Sequence, residues 1–236
     1  LMIFSPARSG RDNSTKHTHQ NITEVPQVVI NVVNHDMVEQ MSLASTAYDK
    51  GVNEFVKAGF TGVESKKIRP PRVAESPVSF ECSVLEVIEL AQEPGAGNLM
   101  LAKVEMVHLN EQYLTDNTLD TKKLDLVGRM GGSWYVHANG KALFEIPKPI
   151  KTKGIGIDQL PKSIRESTVL TGNNLGRLGN VEELPNNAEV EKTGATELLK
   201  NATTQLQLHR LAKEILEAGD TIEALKILLY ADKSLR

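Results

Sequence analysis

A chain of 236 residues is long enough for one core of moderate size plus an appendage, and 40% hydrophobic residues lie within the ordinary range of folded proteins, which excludes general disorder. A formal charge of −3 gives no overall electrostatic drive toward nucleic acid or an anionic membrane, and the single cysteine, Cys82, excludes an internal disulfide and a thiolate metal centre. No apolar run approaches the roughly 20 residues that cross a bilayer as a helix, so a cytoplasmic protein with neither nucleic acid nor membrane as partner is expected.

The chain opens directly in an apolar segment, Leu1–Phe4, which reads as the end of a strand in a chain cut off upstream. Ser5 to Asn13 is a polar loop. Asn13 or Ser14 is expected to cap a short helix whose apolar positions include Ile22 and Val25 and which Pro26 stops. The β-branched run Val28–Val33 predicts a buried strand. Asp36 is expected to cap a helix with Met37, Val38, Met41 and Ala44 at helical spacing, and a second short helix spans Asn53–Ala58, ended by Gly59. From Val78 the period changes to two: Val78, Phe80, Cys82 and Val84 alternate with Ser79, Glu81 and Ser83, the pattern of a half-buried strand. After the turn Pro94–Gly97, Met100, Ala102, Val104 and Met106 face one way while Lys103 and Glu105 face the other. Long antiparallel strands joined by a Gly/Pro turn favour a small barrel over a parallel sheet.

The character changes after Pro149. Residues 151–193 are rich in Gly, Asn, Pro and charge, with no sustained period, and are expected to be an extension ending in a linker over 182–193. Residues 194–236 predict a helical hairpin. Leu198, Leu199, Leu206, Leu208, Leu211, Ile215 and Leu216 mark its first helix, Gly219 ends that helix, and Asp220 with Glu223 has the spacing of a capping box for the second. Packing at home is the simplest use of such apolar faces.

Two stretches could carry chemistry. Ser5–Thr18 gathers Arg8, Arg11 and Lys16 with a cluster of hydroxyls around a helix start, which suits a phosphate because charge, short donors and unpaired backbone N–H groups converge there; a solvated polar loop is the alternative. In Gly128–Tyr135 the glycines permit close approach of a ring or another chain beside Trp134 and Tyr135; a glycine turn into a strand with core aromatics is the alternative. Gly172–Gly179 has neither the ending of a P-loop nor a strand leading into it. The six histidines are scattered, only His17 and His19 lie close together, and no metal site is expected. Cys82, on the apolar face of its strand, reads as a structural thiol.

With these segments in place, the chain resembles the flavin reductase-like proteins of the FMN-binding split-barrel superfamily. The resemblance rests on Lys16-His-Thr-His-Gln-Asn-Ile22, on Arg69-Pro-Pro-Arg-Val-Ala-Glu-Ser-Pro77 leading into Val78–Cys82, and on Val127-Gly-Arg-Met-Gly-Gly132. It implies a split β-barrel over 1–150, mainly β with helices, lacking upstream strands. It also implies that the FMN phosphate falls to Ser5, Arg8, Arg11, Lys16 and Thr18, with Arg129, Gly131 and Tyr135 beside flavin near the interface of a homodimer, and the 69–77 loop bordering the active-site mouth. His17 departs from the family's Lys-Asp-Thr. The activity implied is hydride transfer from NAD(P)H through FMN to a small-molecule electron acceptor, with no catalytic acid or base assigned. An FMN-dependent oxidase or monooxygenase of a small organic substrate, and a non-enzymatic flavin-binding protein, are the alternatives.

Overall fold

The alternating segments on either side of the Pro94–Gly97 turn pair along their whole length into a long hairpin. The computed structural model describes residues 1–146, 152–196, 199, 202 and 204–234, and the chain divides into two compact units, Leu1–Phe144 and Glu145–Arg236.

The first unit runs β1 (Met2–Phe4), α1 (His17–Glu24), β2 (Gln27–Asn31), α2 (Val38–Ala44), α3 (Glu54–Ala58), β3 (Gly62–Val63), β4 (Arg72–Val73), β5 (Val78–Glu89), β6 (Asn98–Leu109), β7 (Leu114–Thr115), β8 (Thr118–Leu119), α4 (Thr121–Leu124), β9 (Val127–Gly131) and β10 (Trp134–His137). Its central antiparallel sheet has the order β1-β6-β5-β2, and the remaining strands form the ribbons β3-β4, β7-β8 and β9-β10. The fold is therefore β-rich with short helices, as the strand periods predict. Cys82, Met100 and Ala102 are fully buried on the sheet, with Ile22 of α1 and Met37 also in the core. Gly97 approaches the polar loop closely: a Cβ there would stand 2.8 Å from the Ser5 hydroxyl, so the β5–β6 turn lies against that loop.

Several local expectations are corrected. The helix after the polar loop starts at His17, with Lys16 at the N-cap position and no side-chain cap. Asn13 and Ser14 cannot cap it, because Asn13 sits at φ 60° with its amide on the Gln92 carbonyl, and Ser14 binds Asp12. Asp36 is likewise no cap: it lies inside a 3-10 turn, His35–Met37, that leads into α2. The Val28–Val33 run forms β2, but as an edge strand that is half-buried throughout. Finally, the outward face of β5 is covered. Ser79 and Glu81, polar by pattern, are 2% and 0% exposed, because the segment before β5 folds over them. Val25 ends α1 in an extended conformation. By contrast α3 follows its sequence signals, with Asn53 accepting from the Phe55 amide and Gly59 in the left-handed conformation at its end.

The second unit contains α5 (Lys162–Arg165), α6 (Gly172–Leu178), α7 (Asn187–Gly194), α8 (Gln205–Glu217) and α9 (Thr221–Ser234). The stretch expected to be extension and linker is thus partly helical. Leu160, Ile164, Leu178 and Val190 join Leu208, Leu216, Leu225 and Leu228 in one core. Asn186 and Glu189 form a capping box for α7 inside the expected linker, and Thr171 with Asn174 forms another for α6. Single short turns with one or two apolar residues show no sustained period, which is why composition suggested a loop. The helical hairpin exists as α8 and α9, with Asp220 accepting from the Glu223 amide, but α8 starts at Gln205 after its own Thr204 cap. Leu198 and the expected boundary at 150 lie outside the described residues.

Candidate functional site

The polar loop between β1 and α1 is ordered by its own backbone and by the β5–β6 turn. The Arg8 amide donates to the Ala96 carbonyl at 2.8 Å and the Ser9 amide to the Ser14 carbonyl at 2.8 Å, while the Asn98 side chain holds the Pro6 carbonyl at 2.9 Å. The five residues expected to hold phosphate share this loop and the first turn of α1. Ser5, Arg11, Lys16 and Thr18 are exposed and Arg8 is half-buried. They differ in availability. The Arg8 guanidinium is folded back on Asn13, donating to its side-chain oxygen and its carbonyl at 2.8 Å each. Asp12 puts a carboxylate among the three cations, and hydrogen bonds from the hydroxyls of Ser9 and Ser14 and from the Ser14 amide hold it down to about 2, ionised at any working pH.

The start of α1 carries the complementary feature. No side chain caps it, and while the His19 amide donates to the Lys16 carbonyl at 3.0 Å, the amides of His17 and Thr18 have no partner among the described residues at the positive end of the helix. A cavity of about 490 Å³ lies against the same helix, lined by His19, Ile22, Thr23, Val84 and Glu89. His19 is buried, and its Nε2 makes no hydrogen bond and stands 3.6 Å from Glu89.

Arg129, Gly131 and Tyr135 form a separate cluster on the β9–β10 ribbon. Arg129 donates to the Tyr135 hydroxyl at 3.0 Å and to the Gly132 carbonyl at 2.6 Å, with its guanidinium 5.2 Å from the Tyr135 ring centre. Gly131 and Gly132, at φ 95° and 54°, make the turn that only glycine adopts without strain. Trp134 and Met130 are 78% and 67% exposed on this ribbon, so the aromatics expected as a core alternative are largely at the surface. Among the described residues no hydrogen bond or ion pair joins this cluster to the polar loop.

A polar knot that the alternation concealed lies beneath the 69–77 loop. Glu81 accepts the amides of Lys66 at 2.8 Å and Lys67 at 2.7 Å, pairs with His108 at 2.5 Å, and has the Arg72 Nε at 3.9 Å. Burial pushes the Glu81 carboxyl up, but these amides and the His108 ring outweigh it and hold the group below the usual carboxylate range. Arg72, Ser76, Ser79 and His108 line a cavity of about 400 Å³ beside it. Cys82 is fully buried with its thiol pushed up by burial, consistent with a structural role.

One histidine cluster was invisible in the spacing. His35 and His137 stack with ring centres 4.0 Å apart, and His137 Nε2 binds Asp125 at 2.6 Å.

The family model of the flavin reductase like domain matches residues 1–124. A relative from Aquifex aeolicus is 33% identical over 147 residues, covering 62% of this chain and 72% of its own length. Relatives from Halalkalibacterium halodurans and Deinococcus radiodurans are 29% and 28% identical over 52% and 58% of the chain, which spans only 60% of the length of each. Among solved structures, nitrilotriacetate monooxygenase component B from Bacillus cereus superposes with a TM-score of 0.55 at 22% identity, covering 61% of this chain and 70% of that one. A protein assigned as a flavin reductase with a split barrel domain, from Shewanella frigidimarina, gives 0.50 at 24% over 62% and 70%. These structural likenesses establish the split-barrel fold. With a family match over more than half of its length, the chain belongs to the flavin reductase like domain family.

Proposed function

We propose that the protein is an FMN-dependent oxidoreductase that accepts hydride from NAD(P)H and delivers electrons to a small-molecule acceptor, working as a homodimer. The observation that carries this reading, given the family, is the start of α1 without a side-chain cap, carrying Lys16 and Thr18 in a loop that also holds Arg11. The amides of His17 and Thr18, a hydroxyl and two cations without a side-chain partner among the described residues suit a phosphomonoester, and the net positive charge of the loop survives Asp12. Arg8 acts indirectly, fixing the loop through Asn13, and Ser5 seats the loop against Gly97.

Bound FMN would supply the redox chemistry, taking up and releasing hydride equivalents at its ring. The protein's part is to bind, orient and shield. Lys16, Thr18 and the α1 amides hold the phosphate end. The cavity along α1 brings His19 and Glu89 next to that end, and Arg129 with Tyr135 offers a flat, cationic surface from the ribbon. Exposed Trp134, Met130 and Val136 on the same ribbon support self-association, since such a patch is costly to leave in water.

The test is an absorption spectrum of the protein with FMN, then with FAD, followed by anaerobic addition of NADH or NADPH. Bound FMN that bleaches promptly is the expected result. Bound flavin that stays oxidised would favour an oxidase, a monooxygenase or a binding protein, and no bound flavin would overturn the reading.

A further inference from the structure

The β9–β10 ribbon continues into a third stretch of backbone. Asn34 bridges Leu126 in antiparallel fashion, the His35 amide donates to the Asp125 carbonyl at 2.9 Å, and the Ala138 amide donates to the Leu126 carbonyl at 2.9 Å. Three adjacent backbone segments therefore carry His35, Asp125 and His137 side by side. Asp125 itself sits at φ 49°, a left-handed conformation that a non-glycine residue adopts at a cost and that surrounding contacts must hold. Asn139 donates to the same Asp125 oxygen that His137 contacts, and also to the Lys122 carbonyl at 3.3 Å, so the carboxylate is oriented from behind.

One ligand atom from each of His35, Asp125 and His137 lies within 4.8 Å of the others. Two imidazole nitrogens and one carboxylate oxygen form the donor set that late first-row divalent ions prefer over magnesium or calcium. The contrast with Glu81 is informative. That carboxylate is 0% exposed and its oxygens are already taken by two amides and His108, so no ion can reach it. At Asp125 both side-chain contacts fall on Oδ1, and the side chains of His137 and Asp125 are 47% and 24% exposed.

We propose that His35, Asp125 and His137 bind a zinc-class divalent ion, with Asn139 positioning the carboxylate and solvent completing the coordination. Binding replaces the hydrogen bond between His137 Nε2 and Asp125, the neutral imidazole carrying its single ring proton on Nδ1, and turns the His35 ring out of its stack. Ligand–metal separations of about 2.1 Å require the three atoms to close by side-chain rotation, without backbone movement. The ion would tie the segment ahead of α2 to the ribbon.

The experiment is a titration of the full-length protein with zinc chloride against a chromogenic chelator, together with zinc-dependent NMR shifts of the imidazole protons. Binding of about one equivalent is expected, with His35→Gln and His137→Gln each weakening it by about tenfold or more, while His17→Ala leaves it unchanged. The His35 and His137 signals should shift with zinc and those of His108 and His209 should not. Absence of binding up to about 0.1 mM zinc, an affinity unchanged in the doubly substituted protein, or shifts confined to other histidines would each overturn the proposal. Retention of the far-UV spectrum in both variants separates loss of a ligand from loss of the fold.

Discussion

At the scale of single residues, the sharpest contrast lies between Glu81 and the loop cations. Glu81 looks solvent-facing by alternation, yet it is wholly buried and accepts two backbone amides and His108. Removing its charge leaves those donors without a full partner, so Glu81→Gln should destabilise the first unit by on the order of 3 kcal/mol, read from denaturant unfolding. The sign of its pH dependence follows from its lowered folded pKa. The stability it contributes is complete above the unfolded carboxylate value of about 4.3 and is lost as pH falls through the lower folded value. In the Gln variant that acid-side loss should be smaller. The loop cations point the other way: their residue types suggest a phosphate from sequence alone, but only the tertiary structure separates Lys16 and Arg11, which have no side-chain partner among the described residues, from Arg8, which is bound to Asn13. Lys16→Ala should therefore weaken FMN about tenfold by fluorescence titration, against a comparable loss of folding stability for Arg8→Ala. An equal effect of Lys16→Ala on FMN and on free riboflavin would argue against a phosphate contact.

At the scale of elements, α7 and α9 pack closely at a glycine. A Cβ on Gly194 would stand 2.2 Å from the Tyr230 ring, so Gly194→Ala should cost about 1–3 kcal/mol by overpacking, and Tyr230→Leu in the same chain should recover part of it. Sequence patterns missed α7 because Val190 is its sole buried apolar side chain, the other buried position being Thr193. The type of turn between β7 and β8 was also missed, although Asp116 and Asn117, both left-handed at φ 49° and 58°, are residues that tolerate that conformation. The buried His209 gives the second unit its own pH response. Burial lowers its pKa, opposed by Asp232, and it binds Ser167 at 2.8 Å. A base with a lowered folded pKa contributes stability that is complete above the unfolded value of about 6.5 and declines as pH falls below it. The second unit should therefore begin to lose stability at a higher pH than the loss due to Glu81, and His209→Gln should flatten that earlier phase in thermal melts between about pH 7.5 and 5.5.

At the scale of the molecule, the family match and the proposed cradle both lie in the first unit. A chain ending at Phe144 should hence keep FMN affinity within about tenfold if that unit folds by itself, whereas loss of flavin with an intact fold would assign the second unit a part in binding. Trp134→Ala should weaken the proposed homodimer at least about tenfold by sedimentation, because a large exposed aromatic typically dominates such contacts. Among the described residues no helix is long and apolar enough to cross a membrane. What the sequence determined by itself was what depends on near neighbours: the period-two strands of the β5–β6 hairpin, the Gly59 and Gly219 stops, the Asp220 cap, the α8–α9 apolar faces, and the polar character of the first loop. Those signals act within a few residues, where propensity and capping decide. The tertiary structure alone decided which polar groups were buried and which side chains met. Glu81 found His108 through β5–β6 pairing, and the loop over it closed the second face. His35 and His137 came together because Asn34 paired with Leu126 beside the ribbon. Contacts between residues distant in sequence depend on strand order and register, and no local period records them.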